Sequence, residues 1–594
     1  MKKLKPKASY IFEVSFEVAN KVGGIYRVLE SKASEMVNYY GDNYFLIGPY
    51  FPEKARGEFK DEIPDKKMKD IFSALEQEGI KCHLGRWMVK GKPRAILVDF
   101  QDYLKDTDYI KGELWEKHGI DSLNSDSTFD HPVVWSYAVG KLIERLSEGR
   151  KGRGVAHFHE WLSGAGLLYL KERKSKVKTV FTTHATSLGR TLAFNQINFY
   201  TILENLNPEE EAYKYNVHSK HQIEKATALS SDTFTTVSEI TGLETKHFLE
   251  REPDVTLTNG LDLEKFLTFE EIVIKHRLQR RRLREFVASF FFPYYTFDLE
   301  NTLFYFTIGR NEFKAKGIDV FIKSLGDLNR KLKRSKNSPT IVSFIWIPTG
   351  VRNIKQEIIE SKEFFNDIRE SLEGSFPEIE ERILYNLLYE KEFTTKELIS
   401  ENYLFEIEKK MLRFKRKNDN PPLCTHDLNS ESDLILDSLK REGLLNREED
   451  KVKVIYYPVY LTGHDGLSNL SYQEGLEACH LGVFPSFYEP WGYTPLEAAA
   501  LGVSSVTTDL AGFGRYKDEI EKAKNGDGVY VLKRLQREDK DIVKDLTQFM
   551  HKFSKLERKE RVENKIKARE IAARADWKEF GENYINAHNH ALGK

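Results

Sequence analysis

Two series of short apolar runs, each alternating with stretches of helix length, constrain the fold of this chain most strongly. Strands buried on both faces read as continuous apolar runs, and their alternation with helices is typical of doubly wound parallel sheets. The sequence therefore predicts an α/β protein with two facing Rossmann-like domains and a ligand cleft at the carboxyl ends of their strands. The runs are 10–16, 44–48, 95–99, 155–159, 179–183 and 233–237, then 302–308, 341–347, 452–457, 481–484 and 504–507.

Charge and cysteine usage exclude several classes of protein. Lys and Arg number 91 against 92 acidic residues, which gives no global attraction to nucleic acid or anionic membranes. The three cysteines are widely spaced and form neither a CxxC pair nor a disulfide framework. Glu13 and Glu17 interrupt the apolar stretch after the charged start, and no run reaches the ~18 apolar residues of a membrane span. We expect a soluble, cytoplasmic protein.

Two glutamates eight positions apart, Glu489 and Glu497, bracket a tight Pro-Trp-Gly turn. The run before them predicts a short buried strand, and residues 496–501 predict a helix. Backbone N–H groups at a helix start suit a phosphate or diphosphate. The pattern therefore indicates a sugar nucleotide, with one carboxylate near the sugar and the other on ribose hydroxyls. A surface loop is the alternative interpretation for this stretch alone.

A second candidate loop contains the pair Gly23 and Gly24. It follows the strand-like run 10–16 and precedes a helical pattern. Glycine lets backbone amides approach a diphosphate without a Cβ in the way, although a lone Gly-Gly is more often a plain turn.

The segment 480–495, HLGVFPSFYEPWGYTP, resembles the E-x7-E motif of retaining glycosyltransferases of GT-B architecture and is similar to glycogen synthases of the animal and fungal type. The resemblance runs from one end of the chain to the other. It implies retaining transfer of glucose from UDP-glucose, or alternatively ADP-glucose, to the non-reducing end of an α-1,4-glucan, without a cofactor or metal. Further family motifs appear in family order at 17–26, 157–161, 182–190, 237–239, 259–262 and 309–317.

The resemblance also implies roles for individual residues. Glu489 acts at the sugar, as nucleophile or as a stabiliser of front-face return, and Glu497 binds the ribose. Arg310 and Lys316 meet the charge that develops on the leaving diphosphate. The other implied contacts are His184 and Arg190 at sugar and phosphate, Lys21, Gly23 and Gly24 at the donor phosphates, Tyr472 stacked on the base, Gly492, Tyr493 and Thr494 at glucose and the distal phosphate, and His159 and Glu160 in the polar wall of the cleft.

Two metal interpretations are disfavoured. His157 and His159 share a strand face and Glu160 follows, but a third ligand at zinc spacing is missing. The D-x-D pattern of Asp106 and Asp108 lies in a charged segment that favours a solvated surface. We predict no metal.

A regulatory site is implied near the C-terminus. Arg558, Arg561 and Lys565 fall three and four apart, which places three cations on one helix face that is ordinarily solvated. The resemblance implies glucose 6-phosphate as a ligand there, although Val273 and Glu570 depart from the family pattern. The other implied contacts of this ligand are His276, Arg280 and His480.

The predicted domains are 1–262, which receives the acceptor, and 301–574, which binds the nucleotide sugar, with a connecting helical segment at 263–300 and a final helix, 575–594, that returns to the first domain. A charged helical insertion spans about 352–446. Its apolar stripe predicts an intrachain helical hairpin, whereas the resemblance implies a subunit interface and a homo-oligomer, with a tetramer suspected. The stripe consists of Ile354, Ile358, Phe365, Ile368 and Leu372.

Two other functions stay open. One is a retaining glycosyltransferase of the sucrose or trehalose type that uses a small acceptor, and the other is an inactive glucan-binding scaffold. The presence of Glu489, Arg310 and Lys316 argues against an inactive protein.

Overall fold

A computed structural model describes residues 4–266, 268–335, 338–398, 401–416, 419–520 and 528–593. Two separate sheets, built largely from parallel strands and covered by helices, confirm the predicted α/β fold with two Rossmann-like domains. None of the helices in these ranges combines the length and apolar composition needed to cross a membrane.

The first sheet is formed by residues 10–256. Its strands are β1 (Tyr10–Val14), β2 (Tyr44–Pro49), β3 (Phe59–Asp61), β4 (Lys81–Trp87), β5 (Arg94–Asp99), β6 (Gly154–His159), β7 (Lys178–Thr183), β8 (Thr233–Thr236) and β9 (Val255–Thr256). Their spatial order is β3-β4-β5-β2-β1-β6-β7-β8-β9. The six predicted apolar runs all lie in this sheet.

The expectation of a wholly parallel first sheet is wrong at one edge. β4 pairs antiparallel with both β5 and β3. The cause is local, because only residues 88–93 join β4 to β5, and a connection this short permits a hairpin but no parallel crossover. The other strands of the sheet pair in parallel.

Helices cover both faces of this sheet. They are α1 (Gly24–Tyr40), α2 (Pro52–Ala55), α3 (Lys66–Glu76), α4 (Thr107–His118), α5 (Ser127–Ser147), α6 (Gly164–Glu172), α7 (Ser187–Phe194), α8 (Pro208–Lys214), α9 (His218–Ser230) and α10 (Glu239–Phe248). The D-x-D pattern falls at the start of α4, where Asp108 lies in the first turn and is exposed. A long connecting helix, α11 (Phe269–Phe291), follows.

The second domain has a fully parallel sheet. The strands of this domain are β10 (Leu303–Ile308), β11 (Ile341–Trp346), β12 (Val351–Ile354), β13 (His426–Leu428), β14 (Val452–Tyr456), β15 (Leu481–Val483), β16 (Ser504–Thr508) and β17 (Val529–Leu532). Six of them take the order β14-β11-β10-β15-β16-β17, while β12 and β13 form a separate antiparallel ribbon.

The remaining helices pack around this sheet, form the charged insertion or return to the first domain. They are α12 (Ile318–Lys333), α13 (Gln356–Leu388), α14 (Thr395–Leu398), α15 (Glu401–Phe414), α16 (Leu434–Arg441), α17 (Tyr472–Ala478), α18 (Tyr493–Ala500), α19 (Gly512–Ile520), α20 (Asp539–Ser554), α21 (Arg558–Ala573) and α22 (Trp577–Gly593).

The charged insertion contains a helical hairpin of α13 and α15. The rings of Phe365 and Phe414 lie 6.1 Å apart between the two helices, and Lys410 pairs with Asp367 at 2.6 Å. The predicted apolar stripe therefore packs within the chain. Ile354 is an exception, because it ends β12 and the helix begins two residues later.

The last helix returns to the first domain. Tyr40 of α1 and His157 of β6 both hydrogen-bond the ring of His588 in α22, at 3.0 and 3.2 Å. In contrast, α21 packs on α18 of the second domain. The chain therefore crosses between the domains at residues 574–576, just before α22.

The topology places the cleft. β1 has β2 on one side and β6 on the other, and β10 likewise lies between β11 and β15. Strand order reverses at these two points, where the loops after neighbouring strands diverge and leave a crevice at the carboxyl edge. The four loops that follow β1, β6, β10 and β15 contain Gly23, Glu160, Lys316 and Glu489.

Candidate functional site

Glu489 lies in the loop between β15 and α18. Its backbone forms a parallel bridge with Ala511, which fixes the course of the loop. Its side chain is 23% exposed, and Oε2 lies 2.5 Å from Nζ of Lys316 in the loop after β10. Two predicted site residues that are 173 positions apart are therefore in direct contact.

Arg310 is placed differently from Lys316. Its side chain is 68% exposed and pairs at 3.1 Å with Glu312 of the same loop. The structure thus brings only one of the two predicted loop cations to Glu489. Gly317 ends this loop with φ +68°, and a Cβ there would lie 2.0 Å from the carbonyl oxygen of Pro485, so a glycine is required where the two loops meet.

Gly492 caps the N-terminus of α18, with φ +103° in the left-handed region. Tyr493 and Thr494 form the first helical residues, so the helix begins three residues before the predicted run 496–501. Their N–H groups belong to the first turn of the helix, where backbone donors have no intrahelical partner. The hydroxyl of Tyr493 is also buried without a hydrogen-bond partner among the described residues. This helix start offers donors to an anion or a hydroxyl-bearing ligand.

Glu497, in the second turn of α18, contacts Tyr472 at the start of α17. The Tyr472 hydroxyl donates to Oε2 of Glu497 at 2.6 Å. Burial raises the pKa of Glu497, whereas the hydrogen bond from Tyr472 and the charge of Arg27 act in the opposite direction. Arg27 belongs to α1 of the first domain, so the start of α1 faces Glu497 across the cleft.

The Gly23-Gly24 loop has an occupant that the sequence did not reveal. The N–H groups of Gly23 and Tyr26 both donate to Oε2 of Glu17, each at 2.8 Å, so this carboxylate occupies the N-terminus of α1. Lys21 is exposed beside it. A diphosphate that binds these amides has to replace Glu17. A carboxylate seven residues before the helix was the available signal, because helix starts favour acidic groups.

His184 and Arg190 lie on the loop and helix that follow β7. His184 is buried to 7% exposure, and its backbone N–H donates to Oε1 of Glu160 at 2.8 Å. Arg190 is exposed to solvent within the cleft. Desolvation lowers the pKa of Arg190, but the carboxylate of Glu160 and then the Tyr488 hydroxyl raise it overall. Because Tyr488 precedes Glu489, Arg190 faces the loop of the second domain.

Three buried carboxylates support the 184–190 loop, and only Glu160 is among the residues predicted from the sequence. Glu224 accepts from the N–H of Ser187 at 2.8 Å, and burial, with the nearby Glu160, raises the pKa of Glu224 to about 8. Glu244 accepts from the Thr186 hydroxyl at 2.8 Å and from Tyr488 at 3.4 Å. Burial raises the pKa of Glu244 to about 7. Glu244 therefore connects the first-domain loop to the residue before Glu489.

His159 lies beneath His184 and not in the cleft wall. Its ring is 1% exposed, with Nδ1 2.9 Å from Nε2 of His184 and Nε2 2.7 Å from Oε1 of Glu13. Glu160 is also buried, with its carboxylate on the N–H groups of His184 and Ala185. Any substrate contact from this pair of predicted residues is therefore transmitted through the His184 loop.

Glu13, His157 and His159 have ligand atoms within 4.8 Å of one another, an arrangement that a metal could use. The donor set does not suit one, because the Lys32 ammonium already contacts Oε1 of Glu13 and a second cation beside it would be repelled. Glu160, which belongs to the disfavoured zinc interpretation, contacts backbone amides instead.

The basic residues of α21 meet α11 in a buried cluster. Nζ of Lys565 lies 2.7 Å from Nδ1 of His276, whose Nε2 donates to the carbonyl of Leu501 at 2.8 Å. Burial, Arg280 and Arg561 lower the pKa of Lys565 to about 7. Burial and Lys565 lower the pKa of His276 to about 3.

The other predicted members of this cluster differ in burial. Arg280 donates to the carbonyls of Ala478 and Cys479 at 3.2 and 3.3 Å, and burial lowers its pKa to about 10. His480 is buried, and burial with Arg280 lowers its pKa well below the usual range. Arg558 is exposed at the start of α21. Every charged group that perturbs Lys565, His276 or His480 is itself cationic, so the cluster has the electrostatics of an anion site.

Comparison with solved structures places this fold among two-domain glycosyltransferases. The catalytic domain of starch synthase IV from Arabidopsis thaliana, bound to ADP and acarbose, aligns over 99% of this chain and 100% of its own, with a TM-score of 0.55 and 13% identity. A UDP-forming trehalose-phosphate synthase from Burkholderia xenovorans aligns over 98% and 99%, with a TM-score of 0.50 and 10% identity. At these identities the likeness concerns the fold.

Sequence comparison identifies the family. The family model for glycogen synthases matches residues 13–594. Glycogen [starch] synthases from Dictyostelium discoideum and Neurospora crassa are 37% and 36% identical, over 98% and 99% of this chain and 66% and 84% of their own lengths. The liver enzyme of Rattus norvegicus is 35% identical over 98% of this chain and 83% of its own. The chain belongs to the glycogen synthase family of glycosyltransferases.

Proposed function

We propose that the enzyme transfers glucose from UDP-glucose to the non-reducing end of an α-1,4-glucan with retention of anomeric configuration. The contact between Lys316 and Glu489 carries this proposal. It places a cation and a carboxylate 2.5 Å apart in the cleft, at the point where strand order reverses in the second sheet. Breaking the anomeric bond needs this combination, because the diphosphate gains negative charge while the sugar ring gains positive charge.

In this proposal, residues from both sides of the cleft bind the donor. Lys316, with Arg310 released from Glu312, binds the diphosphate together with the amides at Gly23 and Gly24, and Lys21 lies beside them. Glu489 stabilises the sugar cation or attacks it. Fixed charges of this kind contribute about 10²–10³ in rate each. Tyr472 stacks on the base, Glu497 binds the ribose, Gly492, Tyr493 and Thr494 donate to glucose and phosphate, and His184 and Arg190 contact sugar and phosphate from the first domain.

A donor and acceptor assay tests the proposal. We expect UDP-glucose to support faster transfer than ADP-glucose with glycogen or maltose as acceptor, and we expect no effect of dialysis against EDTA. Efficient transfer to glucose 6-phosphate or fructose 6-phosphate, with none to glucan, would instead establish a small-acceptor enzyme. Glycogen binding without turnover of either donor would establish a scaffold. The Glu489→Gln variant controls for contaminating activity in each arm.

Glucose 6-phosphate is the proposed effector at the cluster of Lys565, Arg561, Arg280, His276 and His480. A phosphate dianion there would compensate the buried positive charge that lowers the pKa of Lys565. The exposed Arg558 lies one turn before Arg561 and would join on binding. The donor site of the second domain would then respond, because α21 packs on α18, the helix that contains Glu497.

We also propose a homo-oligomer, with a tetramer suspected, that assembles through the insertion at 352–446. The α13–α15 hairpin exposes several large apolar side chains, and exposed apolar patches mark sites of protein–protein contact. Light scattering with a variant that replaces these residues by serine tests this interface. The exposed residues are Phe376, Leu384, Tyr385, Leu387, Leu388, Tyr389, Phe405 and Leu412. We also propose that the domains of the chain meet at residues 262, 300 and 574.

A further inference from the structure

A chain of hydrogen bonds runs from the core of the first domain to His184. Glu13 of β1 is fully buried, and its carboxylate is contacted by the Lys32 ammonium, by the Tyr44 hydroxyl and, at 2.7 Å, by Nε2 of His159. Nδ1 of His159 then lies 2.9 Å from Nε2 of His184. The chain therefore passes through three side chains in the order Glu13, His159, His184.

The chemistry at Glu13 determines where the protons lie. Burial alone would raise the pKa of Glu13, but Lys32 and the hydrogen bond from His159 lower it well below its usual range. An ionised carboxylate only accepts, so Nε2 of His159 carries the proton and donates. Burial lowers the pKa of His159 and of His184, which keeps both rings neutral with one proton each.

The position of the proton on His159 also determines the tautomer of His184. Nδ1 of the neutral His159 has no proton, so it accepts from Nε2–H of His184. Nδ1 of His184 is consequently an unprotonated acceptor, and within the described part of the chain it has no hydrogen-bond partner. The ring is 7% exposed, on the loop that leads to Arg190 at the cleft.

We propose that Glu13 and His159 are positioning residues that hold His184 in its Nε2–H tautomer, so that Nδ1 accepts a hydrogen bond from a hydroxyl group of the bound sugar. The second half of this inference rests on the proposed function, in which His184 contacts the sugar. The first half depends only on the hydrogen bonds. The opposite tautomer would present an N–H, which could donate to the sugar but could not accept from it.

A neighbouring histidine provides a matched control. His157 lies two residues before His159 on the same face of β6, is equally buried, and stacks on it with ring centroids 4.4 Å apart. Its own hydrogen bonds are to the Thr182 hydroxyl at 2.6 Å and to His588 at 3.2 Å, and not to Glu13 or His184. Replacing His157 perturbs the same core and leaves the connection between Glu13 and His184 in place.

Nuclear magnetic resonance of ¹⁵N-histidine in deuterated enzyme tests the tautomer. His184 is assigned from the signals missing in His184→Gln, and long-range ¹H–¹⁵N correlations then show which ring nitrogen bears the proton. We expect Nε2–H in the wild type and in His157→Leu, and a mixture of tautomers in His159→Leu. The Nδ1–H form in the wild type, or an unchanged tautomer in His159→Leu, overturns the assignment. The wild-type spectrum decides the first half even if His159→Leu fails to fold.

Kinetics test the second half. We expect kcat of His159→Leu to fall by about ten-fold or more, by analogy with metal-bound histidines, whose outer partners typically contribute about 10–100-fold in activity. We expect His157→Leu to stay within about three-fold of the wild type, with melting temperatures of the two variants compared. Equal losses in both variants, or none in His159→Leu, overturn the positioning role. Wild-type turnover of UDP-glucose in the same assay separates this result from failure of the proposed function.

Discussion

The ammonium nitrogen of Lys316 lies 2.5 Å from Oε2 of Glu489, so the two groups that the proposed reaction assigns to opposite charges are paired with each other. Both side chains are about one fifth exposed, and such pairs contribute little to stability, about 0–1 kcal/mol. A diphosphate has more negative charge than one carboxylate and can therefore compete for Lys316. The same exchange leaves Glu489 unpaired and available to the sugar.

Glu489→Gln should abolish glucosyl transfer while the dissociation constant of UDP stays nearly unchanged. The lost charge acts on the sugar, and the nucleotide is bound by other groups. Initial rates with UDP-glucose and calorimetric titration with UDP measure the two effects. Glu312→Gln is the control, because Glu312 pairs with Arg310 in the neighbouring loop. If Glu489→Gln keeps more than a small fraction of wild-type turnover, the assignment of Glu489 to the sugar is wrong.

Lys316→Ala should lower kcat by about 10²–10³, because the cation meets charge that develops on the leaving diphosphate. Lys314→Ala is the matched control, since Lys314 lies in the same loop and is exposed. The comparison is made at saturating UDP-glucose, where weaker donor binding no longer limits the rate. A loss confined to KM would show that Lys316 binds donor and transition state equally well.

Tyr472 has two separable interactions. The ring is proposed to stack on the base, while the hydroxyl donates to Glu497 at 2.6 Å. Tyr472→Ala should weaken UDP binding by about 1–3 kcal/mol, the usual range for stacking on an aromatic side chain. Tyr472→Phe keeps the ring, and its UDP affinity should stay closer to that of the wild type. If both variants lose UDP affinity equally, the hydroxyl and not the ring is responsible for the loss. If Tyr472→Ala loses no UDP affinity, the ring does not stack on the base.

Local sequence was sufficient for the parts of the site that are built from strand, loop and helix in succession. The loops containing Lys316, Glu489 and Gly23 follow apolar runs, and glycine or proline marks their turns, so their positions at the carboxyl edge could be predicted. Partners joined by tertiary packing could not. His159 is 146 positions from Glu13, and Tyr488 is 244 positions from Glu244, and no local pattern connects residues at such distances.

The antiparallel edge of the first sheet was missed for a different reason. The sequence of β4, Lys81–Trp87, mixes charged and apolar residues, because this strand lies one position in from the edge strand β3 and is partly exposed. A search for continuous apolar runs passes over such a strand. The role of Glu17 could not be predicted, because a carboxylate before a glycine loop is ordinarily interpreted as part of a polar loop. Its contacts with the amides at the start of α1 are seen only in the structure.

Glu244 should make the stability of the protein depend on pH. Its pKa is raised from an ordinary 4.5 to about 7 by burial, so between these values the folded state binds more protons than the unfolded state. The free energy of unfolding therefore falls as pH rises through this window, by about 3 kcal/mol in total from this group. Glu244→Gln removes the effect. Denaturant unfolding at pH 5 and pH 8 should show the variant gaining stability relative to wild type at the higher pH, and a constant difference would contradict the assignment.

The anion cluster on α21 gives the last prediction. Replacing Arg561 and Lys565 together by alanine should remove activation by glucose 6-phosphate and leave basal transfer unchanged, because neither residue lies in the donor cleft. Effectors typically couple to activity with about 1–3 kcal/mol, or roughly 5–150-fold in affinity. Lys559→Ala is the control, since Lys559 is exposed on the same helix. Initial rates are titrated with glucose 6-phosphate at fixed UDP-glucose for each protein.

The pH dependence of this activation provides an independent check on Lys565. The pKa of Lys565 is lowered to about 7, so above pH 7 the free enzyme has a neutral amine, and a bound phosphate dianion favours the charged form. Binding then takes up one proton, and the activation constant should rise with pH above 7, by at most about ten-fold per unit. Below pH 7 the slope should disappear, apart from protonation of the phosphate itself near pH 6. A wild type that shows no response at millimolar effector would mean that the cluster is not a glucose 6-phosphate site.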